Sequence, residues 1–142
     1  MASDVEKIVK GGHEAWNSHD PDKVVSVYTD DCVCDSVPMG VVFHGKDEVK
    51  ALAKQLSTDY PDFHYEPKSW FASGNKVASE WVWTGTHKHS SNPAIPATGK
   101  RFSVRGVSIL ELRQGKMSRA TFYWNLADLM QQLGLMPKAP SK

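Results

Sequence analysis

Apolar positions recur along this chain with two periods, and the change from one to the other divides it. Val5, Ile8, Val9, His13 and Trp16 return every three to four residues, which is one face of a helix. Ser3 and Glu6 have capping-box spacing at its start. Gly11-Gly12 weakens its middle, so a bend or close packing is expected there. Asp20-Pro21 is a second start signal, and residues 22–29 read as a short helix with Val24, Val25, Val27 and Tyr28 inward. Residues 32–37 read as a short strand after an Asp30-Asp31 turn, and 38–45 as a loop. A third helix over 46–60 carries the stripe Val49, Leu52, Ala53, Leu56.

From residue 63 the period shortens to two. Residues 63–72, 76–87, 100–112 and 116–125 are rich in β-branched and aromatic side chains and bounded by turn chemistry, so they read as four strands. Pro67 makes the first of them an edge or marks a bulge. Strands this long must curl, and a curled sheet has a concave side that can hold a small molecule. Leu126, Leu129, Met130 and Leu133 describe a last short helix ended by Gly134 and Pro137, with a frayed tail over 138–142. Helices followed by a run of antiparallel strands mean an α+β fold.

Composition narrows the function. The 142 residues suit one domain, 1–142 with an ordered core of about 4–136, large enough for a core without disulfides or metals. A formal net charge of +1 and the lack of a basic stripe argue against a nucleic-acid partner. The apolar runs are shorter than a membrane span, and the N-terminus lacks an apolar signal core, so a cytoplasmic protein is expected. Cys32 and Cys34 read as reduced thiols, because a Cys-x-Cys bridge is geometrically poor.

Several strings, in order, resemble the SnoaL-like (polyketide cyclase-like) branch of the NTF2-like superfamily. They are Trp16-Asn17 with Asp20-Pro21, Phe43-His-Gly-Lys-Asp-Glu-Val49, Trp81-Val-Trp-Thr-Gly-Thr-His87, Ile95-Pro-Ala-Thr-Gly-Lys100, Gly115-Lys-Met117 and Leu129-Met-Gln-Gln-Leu-Gly134. The resemblance implies a cone-shaped α+β barrel: a curved antiparallel sheet, three N-terminal helices, a short C-terminal helix and a deep apolar pocket. It also implies a homodimer through the sheet. Members include cyclases, ketosteroid isomerase relatives, hydrolases and non-catalytic binders, so the fold alone does not give the reaction.

Enzymes of this kind abstract a proton next to a carbonyl and stabilise the enolate, with one base in a dry pocket and donors aimed at the oxyanion. That chemistry needs no cofactor. The family pattern places an acid near the end of the last strand, where this chain has Asn125, an amide that can donate to an oxyanion but cannot act as a base. A different base, a different reaction or a binding-only module are the alternatives. His87, sharing a strand face with Trp81 and Trp83, is the substitute base, or else a structural histidine. Asp35 is a second candidate; it faces away if Cys32, Cys34 and Ser36 face the pocket.

Arg105 and Arg119 are polar anchors or surface charge; Glu80 is expected to pair with one of them across the sheet. Trp16, Asn17, Tyr28, Trp83 and Tyr123 are expected to line the pocket. Trp70, Phe71, Phe102, Phe122 and Trp124 read as core or dimer face. His87 and His89 lack a third ligand at a telling spacing, so no metal is expected. The expected ligand is a small hydrophobic molecule carrying a carbonyl. On the other reading the same scaffold is a non-catalytic binding or protein-interaction module.

Overall fold

The alternating segments assemble into one six-stranded sheet. The computed structural model describes residues 2–92 and 95–137. In chain order the elements are α1 (Ala2–Asn17), α2 (Pro21–Ser26), β1 (Tyr28–Ser36), β2 (Val41–His44), α3 (Gly45–Asp59), β3 (His64–Ser73), β4 (Lys76–Thr86), β5 (Arg101–Arg113), β6 (Lys116–Trp124) and α4 (Leu126–Gln132). The strands lie in the order β2-β1-β6-β5-β4-β3. All neighbours are antiparallel except β1 and β6, which run parallel. The arrangement is α+β, with the helices folded against the concave side of a curved, open sheet. No helix among the described residues is long and apolar enough to cross a membrane.

The first half of the chain departs from its periodicity in two places. The second helix ends at Ser26, and Tyr28 opens β1 instead of lying on a helix. Val27-Tyr28-Thr29 is β-prone, and pairing with β6 overrides the short helical pattern. Asp30 and Asp31 are exposed within this strand, where its register with β6 shifts between Tyr28 and Val33. The expected loop over 38–45 also contains β2, whose Val41-Val42-Phe43 pairs with Ser36-Asp35-Cys34.

Elsewhere the local rules hold. Asp20 caps α2, its carboxylate accepting from Asp22 N at 3.0 Å. Gly11-Gly12 does not interrupt α1; a Cβ on Gly12 would meet only the Met117 methyl, at an ordinary contact distance of 3.4 Å, and one on Gly11 would meet open space. β3 is an edge strand, and its pairing with β4 shifts between Pro67 and Ser69, so both readings of Pro67 apply. Gly134 follows α4 with φ +77°. The Ser3 side chain of the capping box, Pro93, Ala94 and the tail 138–142 lie outside the described residues.

Period-two alternation gives the sheet two unlike faces. Val77, Ser79, Trp81 and Trp83 of β4, Phe102, Val104, Ser108 and Leu110 of β5, and Met117 and Ala120 of β6 are buried on the concave face. Cys32 and Cys34 of β1 join them, both free and fully buried. Burial pushes the Cys34 thiol up to about 12, which keeps it protonated. Of the aromatics expected in the core or at a dimer face, Trp70, Phe102, Phe122 and Trp124 pack with the core, and Phe71 stands 73% exposed.

Candidate active site

Helices α1, α3 and α4 close over the concave face and leave a cavity of about 410 Å³. That is within the usual range for small-molecule sites. One side of it is aromatic. Trp83 sits 4.7 Å from Phe102, 5.3 Å from Tyr60, 5.4 Å from Trp124 and 5.9 Å from Tyr65, ring centre to ring centre. The other side is aliphatic, with Val9, Leu110 and Met117. Burial pushes the Tyr60 hydroxyl up to about 12 and raises those of Tyr28 and Tyr65 as well, so all three are neutral proton donors at neutral pH.

Trp81 is placed by a glycine. A Cβ on Gly106, which faces Trp81 across the β4–β5 ladder, would lie 2.3 Å from the indole Cη2. The indole therefore lies flat over the β5 backbone, and its Nε1 donates to Ser108 Oγ at 2.8 Å. Ser79 stands directly opposite Ser108 in the same ladder, and both side chains line the cavity. Ser79 Oγ and Trp83 Nε1 are buried without a hydrogen-bond partner among the described residues.

Two titratable side chains that periodicity did not single out for chemistry also line the cavity. His13 sits on the buried side of α1, edge-on to Tyr65 at 6.2 Å between ring centres. Burial, with a smaller contribution from the charge of His64, lowers its pKa to about 4, so the ring is neutral at neutral pH. α1 runs antiparallel to β3: Asn17 lies against Tyr65 and Lys10 over Trp70. His13 therefore falls between those levels, about level with Trp81. Asp59, at the end of α3, is 6% exposed. Its carboxylate accepts from Ser91 Oγ at 2.8 Å and Ser91 N at 3.2 Å, and its carbonyl accepts from Lys88 N and His89 N, so it also pins the following loop.

The residues expected to carry chemistry do not meet in this cavity. Of the ten, Trp16, Tyr28 and Trp83 line it. His87 is buried just beyond, its ring 5.5 Å from that of Tyr60, with Nδ1 lacking a partner among the described residues. Desolvation lowers its pKa, and the Asp59 charge opposes this. Its neighbour His89 is exposed, and among the described residues no three His, Cys, Asp or Glu side chains gather as a metal site. Asp35 faces away from the cavity, because Cys32 and Cys34 take the inner face; it pairs with Arg119 at 3.3 Å.

Asn125 caps α4, its side-chain oxygen accepting from Asp128 N at 3.0 Å. Tyr123, expected in the pocket, instead lines an open groove on the convex face with Asn125 and Arg105, since each sits one residue out of phase with the inward set; Arg105 takes the surface-charge alternative. Arg119 lies on that outer side and also approaches Glu111, at 4.0 Å. Glu80 pairs with neither arginine; it accepts from Ser69 Oγ at 2.5 Å. Asn17 lies outside the cavity lining: its amide donates to Tyr65 O at 2.8 Å and accepts from Tyr65 N at 2.7 Å, satisfying the edge strand's free backbone groups.

His13 was legible as a member of an apolar helical face, but a histidine at such a position reads first as core. Asp59 carried no signal, because nothing in the sequence says that the last turn of α3 looks into the sheet. Comparison with known proteins agrees with this fold. Residues 6–133 match the family model described as SnoaL-like polyketide cyclase. A protein with a ketosteroid isomerase-like fold from Catenulispora acidiphila, solved with trimethylamine, is 18% identical with TM-score 0.81, over 94% of this chain and 98% of that one. A candidate hydroxylase, AclR of Streptomyces galilaeus, is 24% identical with TM-score 0.81, over 97% and 89%. A candidate polyketide cyclase of Xanthomonas campestris is 21% identical with TM-score 0.82, over 92% and 97%. No curated protein matches the chain.

Proposed function

The chain belongs to the SnoaL-like polyketide cyclase family, and from that premise we propose that it is a cyclase- or isomerase-type enzyme that moves a proton next to a carbonyl. The substrate is a compact, largely apolar polyketide-like ketone held in the concave cavity. His13 is the base. The observation that carries this reading is a neutral imidazole in the wall of a largely apolar cavity with an aromatic side. Enolisation needs an unprotonated base beside the carbon acid and donors near the developing enolate oxygen. A conjugate acid near 4 makes His13 about as basic as the aspartate bases of known ketone-enolising enzymes, and it is fully unprotonated at neutral pH. Among the described lining residues Asp59 is the other carboxyl or imidazole group, but Ser91 already donates to both of its oxygens. No cofactor enters this chemistry.

A binding-only role is the second reading, favoured because the cavity is mostly apolar and the expected bases Asp35 and His87 lie outside its lining. The test separates the two. Ketones of one to three fused rings are incubated with the protein in deuterated water, and exchange at the carbon next to the carbonyl is followed by proton NMR. Exchange above background that falls on the order of a hundredfold or more in His13→Gln supports the enzyme and its base. Exchange that survives His13→Gln removes His13 from the role. Tight binding with no exchange favours the binding module.

A further inference from the structure

We propose that Ser79 and Ser108 form a two-hydroxyl niche that receives a ligand's carbonyl oxygen. This names the substrate feature read by the cavity, and it rests on the reading above that a ketone occupies it. The two serines are cross-strand partners on the concave face, 2% and 7% exposed, and both line the cavity. Side chains directly opposite in an antiparallel ladder lie within about 5 Å at Cβ, close enough to address one atom.

Their hydrogen bonding is incomplete in a specific way. Ser108 Oγ accepts from the Trp81 indole, which leaves its own proton to donate. Ser79 Oγ has no partner among the described residues, although buried hydroxyls are ordinarily satisfied. Two O–H donors therefore stand over an apolar floor, and one of them is polarised by the indole N–H it accepts. A carbonyl oxygen, with two lone pairs and no proton, is the group that completes both. An apolar hydrocarbon would leave Ser79 unsatisfied, and a cation would find no acceptor with spare charge.

The niche also sits at a boundary. In the strand register it lies between the aromatic side (Trp81, Trp83, Trp124) and the aliphatic side (Leu110, Met117). A ligand bound there places flat rings against the tryptophans with its carbonyl at their edge. Gly106 belongs to the device, because only without a Cβ can Trp81 lie low enough to reach Ser108.

The experiment uses two probes that differ by one oxygen, 1-tetralone and tetralin. Calorimetric titration of the full-length protein should show a preference for 1-tetralone. In Ser79→Ala that preference should fall on the order of threefold to tenfold. Tetralin affinity should stay within about twofold, which also reports that the variant is folded. Difference infrared spectra of 13C=O-labelled tetralone should show a carbonyl stretch shifted to lower frequency on binding, with part of the shift lost in Ser79→Ala. Equal affinity for the two probes, no binding of 1-tetralone, or an unshifted carbonyl band would overturn the niche. Binding needs no proton transfer, so an intact preference without α-proton exchange would leave the niche standing and remove only the enzymatic reading.

Discussion

The two faces of the sheet are built from the same strands and differ in almost everything that matters for chemistry. On the concave face β4 and β5 present Ser79, Trp81, Trp83, Ser108 and Leu110 to a cavity roofed by α1 and α3. On the convex face, one residue out of phase, the strands present Glu80, Arg105 and Tyr123 to an open groove. Charge concentrates outside; among the described lining residues the inside has hydroxyls, indoles, the His13 imidazole and a single carboxylate, Asp59. Electrostatic groups in an open groove are screened and cheap to rearrange, whereas the same groups in a dry cavity are costly to leave unpaired. Asp35, Arg105 and Arg119, which look chemical in the sequence, sit on the face away from the cavity, while His87 is buried just beyond it. The cavity's polar groups are few, and its one carboxylate, Asp59, is held by Ser91.

This contrast can be broken most sharply by activity. His13→Gln should lower α-proton exchange of a bound ketone on the order of a hundredfold or more. Asp35→Asn and Arg105→Ala, on the other side of the sheet, should change it by less than about twofold. A large loss in either outer-face variant would reverse the assignment of the faces.

Stability against pH gives the next largest effect. His13 has its folded-state pKa lowered to about 4 from 6.5. Between those values the unfolded chain binds a proton that the folded chain does not, so stability rises with pH from about 4 and is complete above about 6.5. The full span is at most about 3 kcal/mol, less in proportion to the solvent that reaches the ring. Urea unfolding between pH 4 and 7 should show this slope in the wild type, and it should be reduced in His13→Gln. An identical slope in the two proteins would place the pH dependence elsewhere.

Gly106→Ala tests the packing of the inner face alone. The added methyl would overlap the Trp81 ring, so unfolding free energy should drop by about 1–3 kcal/mol. Trp81 fluorescence should shift as the indole is lifted off β5. The smallest effect belongs outside: Arg119→Ala breaks a partly exposed pair with Asp35 and should cost less than about 1 kcal/mol in the same assay.

Much of the fold was legible, because strand alternation and helical stripes are local. The edge status of β3 came from Pro67, and the α2 start from Asp20-Pro21. Tyr28 was misplaced because a six-residue helix leaves too little periodicity to show where it stops. β2 was missed because Val41-Val42-Phe43 is short and earns its strand only by pairing with β1. The site was harder. In β6 Arg119, Thr121 and Tyr123 alternate with Ala120, Phe122 and Trp124, but alternation alone does not say which set faces inward. Asp35 was tied in advance to the facing of Cys32 and Cys34, and their burial fixes it outside. His13 and Asp59 owe their positions to how α1 and α3 cross the sheet, a tertiary fact with no local signature.

On the proposed function a carbonyl-bearing apolar ligand sits on the concave face. Intermolecular NOEs between bound 1-tetralone and isotope-labelled protein test it directly. The expected contacts are to the side chains of Trp81, Leu110 and His13. Contacts to Val82, Val107 and Tyr123 on the outer groove instead would contradict the account.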